Sequence, residues 1–239
     1  MFRKAKIMDT RAEMETELVA QLQVADNSSL YPSTRITTLI QNAYKWATNL
    51  FIWTDLVKAK TANTAVSQRY YDYPEEFRSN TILRLDIDDD PYERKNYEDF
   101  LDYLENNSGT TKKMFANYGR LFFINPVATA VGSNNISAWG ATQADDLSAS
   151  DTETIFTNNN PEGNEAVVQR ALGVALKRID KGQSIQEITE AIAILQKLNA
   201  DEIKATQRDK RIDHPSMNVP NMFGGYSMNP NPGRFNYHP

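Results

Sequence analysis

The chain has no cysteine and only two histidines among its 239 residues. The first absence removes disulfides, thiolate metal sites and cysteine nucleophiles. The second leaves any histidine chemistry to His214 and His238, which share neither an HxxxH nor an HExxH spacing. The phosphate-cradling patterns Gly-x-x-x-x-Gly-Lys and Gly-x-Gly-x-x-Gly are missing, as is the Gly-x-Ser-x-Gly nucleophile turn. No apolar run approaches the roughly 18–20 residues that span a bilayer. The basic start Met1–Lys6 has no apolar segment behind it, unlike a secretory signal. A net charge of −5 supplies no general attraction to nucleic acid. These exclusions predict a soluble protein with no catalytic histidine or cysteine, no cofactor and no membrane partner.

What is present is mostly helical in period. Asp9 and Thr10 are candidate N-caps for a helix to about Ala25, with Met14, Leu18, Val19 and Leu22 as its buried stripe. Pro32-Ser33 opens a second helix running to about Leu56. Ile36, Leu39, Ile40, Ala43, Ala47, Leu50 and Phe51 form its face, and Trp46 and Trp53 flank it half-buried. Residues 92–104 read as a polar helix with Tyr97, Phe100, Leu101 and Leu104 on one side. A further helix spans about Asn164–Ile179, with Val167 or Val168, Ala171, Leu172, Ala175, Leu176 and Ile179 inward and Gly173 marking close packing. Ser184 and Glu187 then form a capping-box pattern ahead of Ile185, Ile188, Ile192, Leu195 and Leu198.

The β signal is concentrated in Lys112–Phe156. Tyr118-Gly119 marks a turn, Leu121–Ile124 a strand stopped by Asn125-Pro126, and Ile136–Trp139 a second strand ended by Gly140. Residues 58–66 read as a small, polar loop. Ser67–Tyr73 is β-prone up to Pro74, and Thr81–Ile87 fits a strand, an extended edge or a short helix. The loop Ala128–Asn135 is small and polar, which suits a contact surface.

One constellation could carry chemistry. Asp86, Asp88, Asp89 and Asp90 open an acidic stretch that continues to Glu105. Clustered carboxylates suit a hard cation, but the glycine and closing glutamate of a calcium loop are absent. The alternatives are a solvated acidic face, a wall that keeps DNA from sticking in a channel, or the metal site of a metal-dependent enzyme.

From His214 the composition changes. The last 26 residues hold five of the ten prolines, with three glycines and five asparagines, which forbids a regular element. Spaced through them are Met217, Val219, Met222, Phe223, Tyr226, Met228, Phe235 and Tyr237. Solvated tails usually lack such residues, so 214–239 is expected to be an extended arm that orders on a partner.

The order of these pieces resembles the head-to-tail connector, or adaptor, proteins of tailed bacteriophages. The resemblance rests on the helical entry Arg35–Leu56, the Tyr73-Pro74 strand end, and the glycine, apolar run and proline of Gly119–Pro126. It is completed by the polar Asp145-Asp146-Leu147 segment and the closing helix Gly163–Ile179. It implies a mainly α fold: a helical bundle over 1–213 with a small antiparallel β module inserted at about 67–156, and the arm 214–239 beyond it. It also implies a virion structural protein without enzymatic activity, forming a ring of copies (a dodecamer) below the portal protein. Such a ring joins head to tail or neck proteins and extends the channel through which DNA passes, with the arm docking on the portal. Another neck or tail-completion role shares this logic.

Overall fold

The computed structural model describes residues 8–23, 29–107, 111–158, 160–177 and 179–208. Helix α1 (Arg11–Leu22) starts on a capping box in which Thr10 accepts from the Glu13 amide while the Glu13 carboxylate accepts from the Thr10 amide. Helix α2 (Ser33–Leu50) follows, then a single 3-10 turn at Thr54–Leu56. Seven strands come next, interrupted by one helix: β1 (Val57–Thr64), β2 (Tyr70–Asp72), β3 (Phe77–Ile87), β4 (Asp90–Lys95), α3 (Tyr97–Asn106), β5 (Met114–Tyr118), β6 (Leu121–Asn125) and β7 (Gly132–Thr142). Helices α4 (Glu162–Leu176) and α5 (Lys181–Arg208) follow as the last described elements.

This overturns the mainly α expectation: the fold is mixed α/β, with five helices and a seven-stranded curled sheet among the described residues. The strand order is β1-β7-β3-β4-β5-β6-β2. The sheet turns at β4, whose first half (Asp90–Tyr92) pairs antiparallel with β3 while its second half (Glu93–Lys95) pairs parallel with β5. The missed strands have physical reasons. β1, expected as a loop, is a sheet edge guarded by Lys58 and Lys60, the charged composition with which edges resist stray pairing. β4, expected as the start of a helix, is nearly all polar and is fixed by its two neighbours rather than by its own burial.

Side-chain alternation builds two sheet-side cores. Phe115 of β5 and Phe122 and Ile124 of β6 face inward with Tyr71, Tyr73, Phe77, Ile82, Leu85, Ile87, Ile136 and Ala138. Met114, Ala116 and Phe123 face the other way, against Tyr97, Phe100, Tyr103 and Leu104 of α3. Strands covered on both faces read as continuous apolar runs, which is why Leu121–Ile124 stood out. Phe77 lies flat on Gly140, where a Cβ would come within 2.5 Å of its ring, so that position admits only glycine.

The helical core is separate. α1, α2, α4 and α5 bury Met14, Leu18, Ile36, Ile40, Ala47, Val167, Val168, Ala171, Leu195 and Leu198, joined by Leu147 and Phe156 of the segment after β7. Trp53, expected half-buried, is fully enclosed: its indole donates to the Ala47 carbonyl at 3.1 Å, and its ring meets Phe156 edge-on at 5.1 Å. Gly173 does mark close packing, since a Cβ there would lie 2.7 Å from Ile188. The cap of α5 is Asp180, which accepts from the Gln183 amide at 3.0 Å. Ser184 lies inside the helix instead, buried and donating its hydroxyl to the Gly173 carbonyl at 2.6 Å. Ile179, expected in the buried stripe, falls just past α4 and is exposed.

Sheet and bundle meet at the C-terminus of α2. The Arg78 guanidinium, from β3, donates to the carbonyls of Thr48, Asn49 and Phe51 at 3.3, 2.9 and 3.0 Å. Those carbonyls have no partner within the helix, and a cation there also complements the helix dipole. Replacing Arg78 with Met should lower unfolding stability by about 2–3 kcal/mol, read as a drop in the urea midpoint with an unchanged slope.

Alkaline pH offers a second check. Burial pushes the Tyr73 phenol up to about 12, against the opposing pull of its hydrogen bond from the Ile82 amide and of Arg94 and Arg120. The unfolded phenol titrates near pH 10, so folding favours the neutral form. The stability that follows is fully present below pH 10 and is lost as pH rises from 10 to about 12. Thermal unfolding across that window should fall steeply in the wild-type chain and less steeply in Tyr73→Phe.

Candidate functional site

The acidic stretch resolves into a hairpin and a helix. Ile87 pairs with Asp90, leaving Asp88 and Asp89 as a two-residue turn with φ of 52° and 63°. Positive φ at both central residues is the pattern of a type I′ turn, which aspartate tolerates better than most side chains. The four candidate carboxylates therefore do different things. Asp86 is buried on β3 and clamped by Arg84, whose Nε and Nη2 donate to its two oxygens at 3.0 and 2.6 Å. Asp90 is ion-paired with Lys113. Asp88 accepts from the Asn135 amide group at 3.1 Å. Asp89 is exposed at the tip and forms no ion pair among the described residues.

Among the described residues no three carboxylates or histidines converge as a metal ion would need. The spacing that suggested a cation site is broken up by the strand: Asp86 points into the sheet's own ion pair, and Asp88 and Asp89 point outward on the turn.

Around this turn the sheet end is locked by short polar side chains. Asn135 donates to the Thr64 hydroxyl at 3.0 Å and accepts from the Thr64 amide at 3.0 Å, while the Asp88 amide donates to the Asn135 carbonyl at 2.9 Å. Asn134 donates its amide to Asn63 Oδ1 at 2.7 Å, and Gly132 donates its amide to the Thr64 hydroxyl at 3.0 Å. A Cβ on Gly132 would come within 2.2 Å of Asn135, so glycine is required for the lock to close. Three pieces distant in sequence, residues 63–64, 88 and 132–135, thus form one rigid end of the sheet. Val66 and Val131 are exposed beside it. The second half of the loop expected over Ala128–Asn135 is the start of strand β7.

Helix α3 carries the rest of the acid. Tyr97, Phe100 and Leu104 pack on the sheet, and Glu98, Leu101, Asp102 and Glu105 lie exposed on the other side. The arm residues Met217, Val219, Met222, Phe223, Tyr226, Met228, Phe235 and Tyr237 lie outside the described residues.

Comparison with known proteins places the sequence in a family. The sequence model of the SU10 adaptor protein family matches residues 10–219, which takes in both the bundle and the whole sheet. The chain belongs to the SU10 adaptor protein family. It is thus a phage adaptor, a structural component of the virion that associates with other head and tail parts. No curated protein matches the chain.

If Asp88 and Asp89 serve as turn residues, the pair Asp88→Asn with Asp89→Gly installs the preferred turn sequence and should raise stability by up to about 1 kcal/mol. A loss of more than that in thermal unfolding would mean that both carboxylates hold structure beyond the turn.

Proposed function

We propose that this adaptor forms a ring of copies below the portal, joins the phage head to tail or neck proteins, and extends the DNA channel. Membership of the adaptor family over residues 10–219 carries the proposal. The fold supports it: a helical bundle holds out a sheet whose far end is locked by side-chain hydrogen bonds. A ring subunit needs such a rigid body, because each copy must present the same two faces to its neighbours.

The acidic turn fits the channel role better than a catalytic one. Asp88 and Asp89 are exposed, form no ion pair among the described residues, and are fixed in direction by the turn. A wall of like charge lets a polyanion slide without binding. Asp86 and Asp90 contribute to the structure of that wall through Arg84 and Lys113.

The body then comprises residues 1–213, and residues 214–239 act as an arm that docks on the portal. Eight spaced apolar anchors among prolines can spread over a broad surface and meet their ordering cost only on binding. Mixing the chain with portal assemblies should give a ring visible by electron microscopy. Deleting residues 214–239 should leave thermal unfolding unchanged and weaken portal binding at least tenfold; equal affinity for the shortened chain would overturn the arm's role.

A further inference from the structure

Two exposed apolar patches lie on different parts of this fold, and their charges are opposite. The first is at the closed end of the α4–α5 hairpin. Ile179 and Ile185 are 64% and 65% exposed there, with Val174 on the last turn of α4. The Tyr31 hydroxyl donates to the Ala175 carbonyl at 3.0 Å, which sets exposed Leu30 against the same turn. Lys177, Lys181 and Arg35 are exposed around these residues. None of the three forms an ion pair among the described residues; Arg35 lies over the Tyr31 ring at 4.8 Å and donates to the Leu30 carbonyl. Asp180 is exposed among them and caps α5, so this end sets three named cations against one carboxylate.

The second patch is the outer side of α3. Tyr118 is 60% exposed and stacks on Tyr97 at 4.5 Å, and Leu101, one turn further along the helix, is 39% exposed. Glu98, Asp102 and Glu105 run beside them at helical spacing, and none has a cationic partner among the described residues.

Lone exposed apolar residues need no explanation, and acidic helix faces are commonly just solvated. Here, however, isoleucines more than half exposed are ringed by unpaired cations, and an exposed leucine and tyrosine are ringed by unpaired anions. Each patch has the composition of an interface: an apolar centre inside a charged rim. The rims oppose in sign, which is the complementarity that selects a partner and steers its approach.

We propose that the basic end of the α4–α5 hairpin of one copy seats on the acidic outer face of α3 of the next copy. This rests on the ring reading above and names its contact. Because the two patches belong to different elements, the contact is heterologous: each copy uses one patch on either side, and the series forms a ring where the rotation per copy closes. The apolar centres supply the burial, and the charges set the direction of travel around the ring.

The natural absence of cysteine makes the test direct. In the full chain, Leu101→Cys and Ile185→Cys are placed together, and rings formed with portal assemblies are mildly oxidised. The double variant should give a ladder of covalent multimers on a denaturing gel. Each single variant should stay monomeric, and an equal mixture of the two singles should stop at dimers. Charge swaps provide a second arm: Lys177→Glu with Lys181→Glu, or Glu98→Lys with Asp102→Lys, should each raise the protein concentration needed for assembly at least tenfold, and combining all four should restore it. All six sites are exposed, so circular dichroism should show each variant folded.

Rings from the wild-type chain with no ladder and no effect of the swaps would overturn this contact and leave the ring reading standing. No ring from the wild-type chain in the portal mixture would overturn both. Dimers from either single cysteine variant would mean that like patches meet, which also overturns the contact. If the lysine swaps raise the assembly concentration and the combination of all four swaps does not restore it, the basic patch serves the portal or duplex DNA instead and the proposal fails.

Discussion

An insertion can sit in a helical bundle only if its two ends come together, and here the pairing of β1 with β7 meets that demand. Val57 lies opposite Ala141, one residue after the 3-10 turn and one residue before the sheet ends. The Thr142 hydroxyl donates to the Leu56 carbonyl at 3.0 Å, fastening the departing strand to the returning one at the seam. With the ends joined, α2 packs against α4, and the segment carrying Leu147 and Phe156 joins the bundle core. Arg78 then fixes the sheet to the end of α2, so that the module cannot swing about its paired stalk.

That arrangement separates two kinds of work. The bundle holds its core through aromatic and aliphatic packing centred on Phe156, which Tyr44 and Trp53 both meet edge-on and against which Gly163 fits without a Cβ. The sheet end around Thr64, Asp88 and Asn135 is held by hydrogen bonds among short side chains instead. Such side chains lose little entropy on being fixed, so a polar surface can be rigid without a large apolar core beneath it. A structural adaptor benefits from this. Its surface can stay polar there and yet keep one shape.

How much of this was legible follows from the environment of each residue. The stripes of α1, α2 and α4 were readable because each of those helices faces one core; Met14, Leu18, Ile36, Ile40 and Ala171 repeat at helical spacing for that reason. β6 was readable because both its faces are covered. β1 and β4 were not, since an edge strand and a hinge strand are selected by what they pair with, and Lys58, Lys60, Glu93 and Lys95 carry no period of burial. Counting those strands as loop or helix produced the mainly α expectation. Asp88-Asp89 was legible as acid but not as a turn, because aspartate at positive φ looks like any surface carboxylate in sequence. The Thr10 and Glu13 capping box, by contrast, was present in the sequence as a plain Thr-x-x-Glu.

The exposed isoleucines carry the same lesson outward. Ile179 and Ile185 continue the periods of α4 and α5, so periodicity alone assigns them to the core. The chain reverses between the two helices at just that point, and the reversal turns both side chains to solvent. A residue that obeys the core pattern and yet lies outside it has lost its partner within the chain. In the proposed ring that partner is supplied by the next copy, and closure multiplies a modest contact: breaking one copy out of a closed ring costs two such contacts at once, whereas breaking a dimer costs one. A contact too weak to hold two free copies together can therefore hold a ring on the portal. In the proposed assembly the same weakness leaves free copies apart until the portal gathers them.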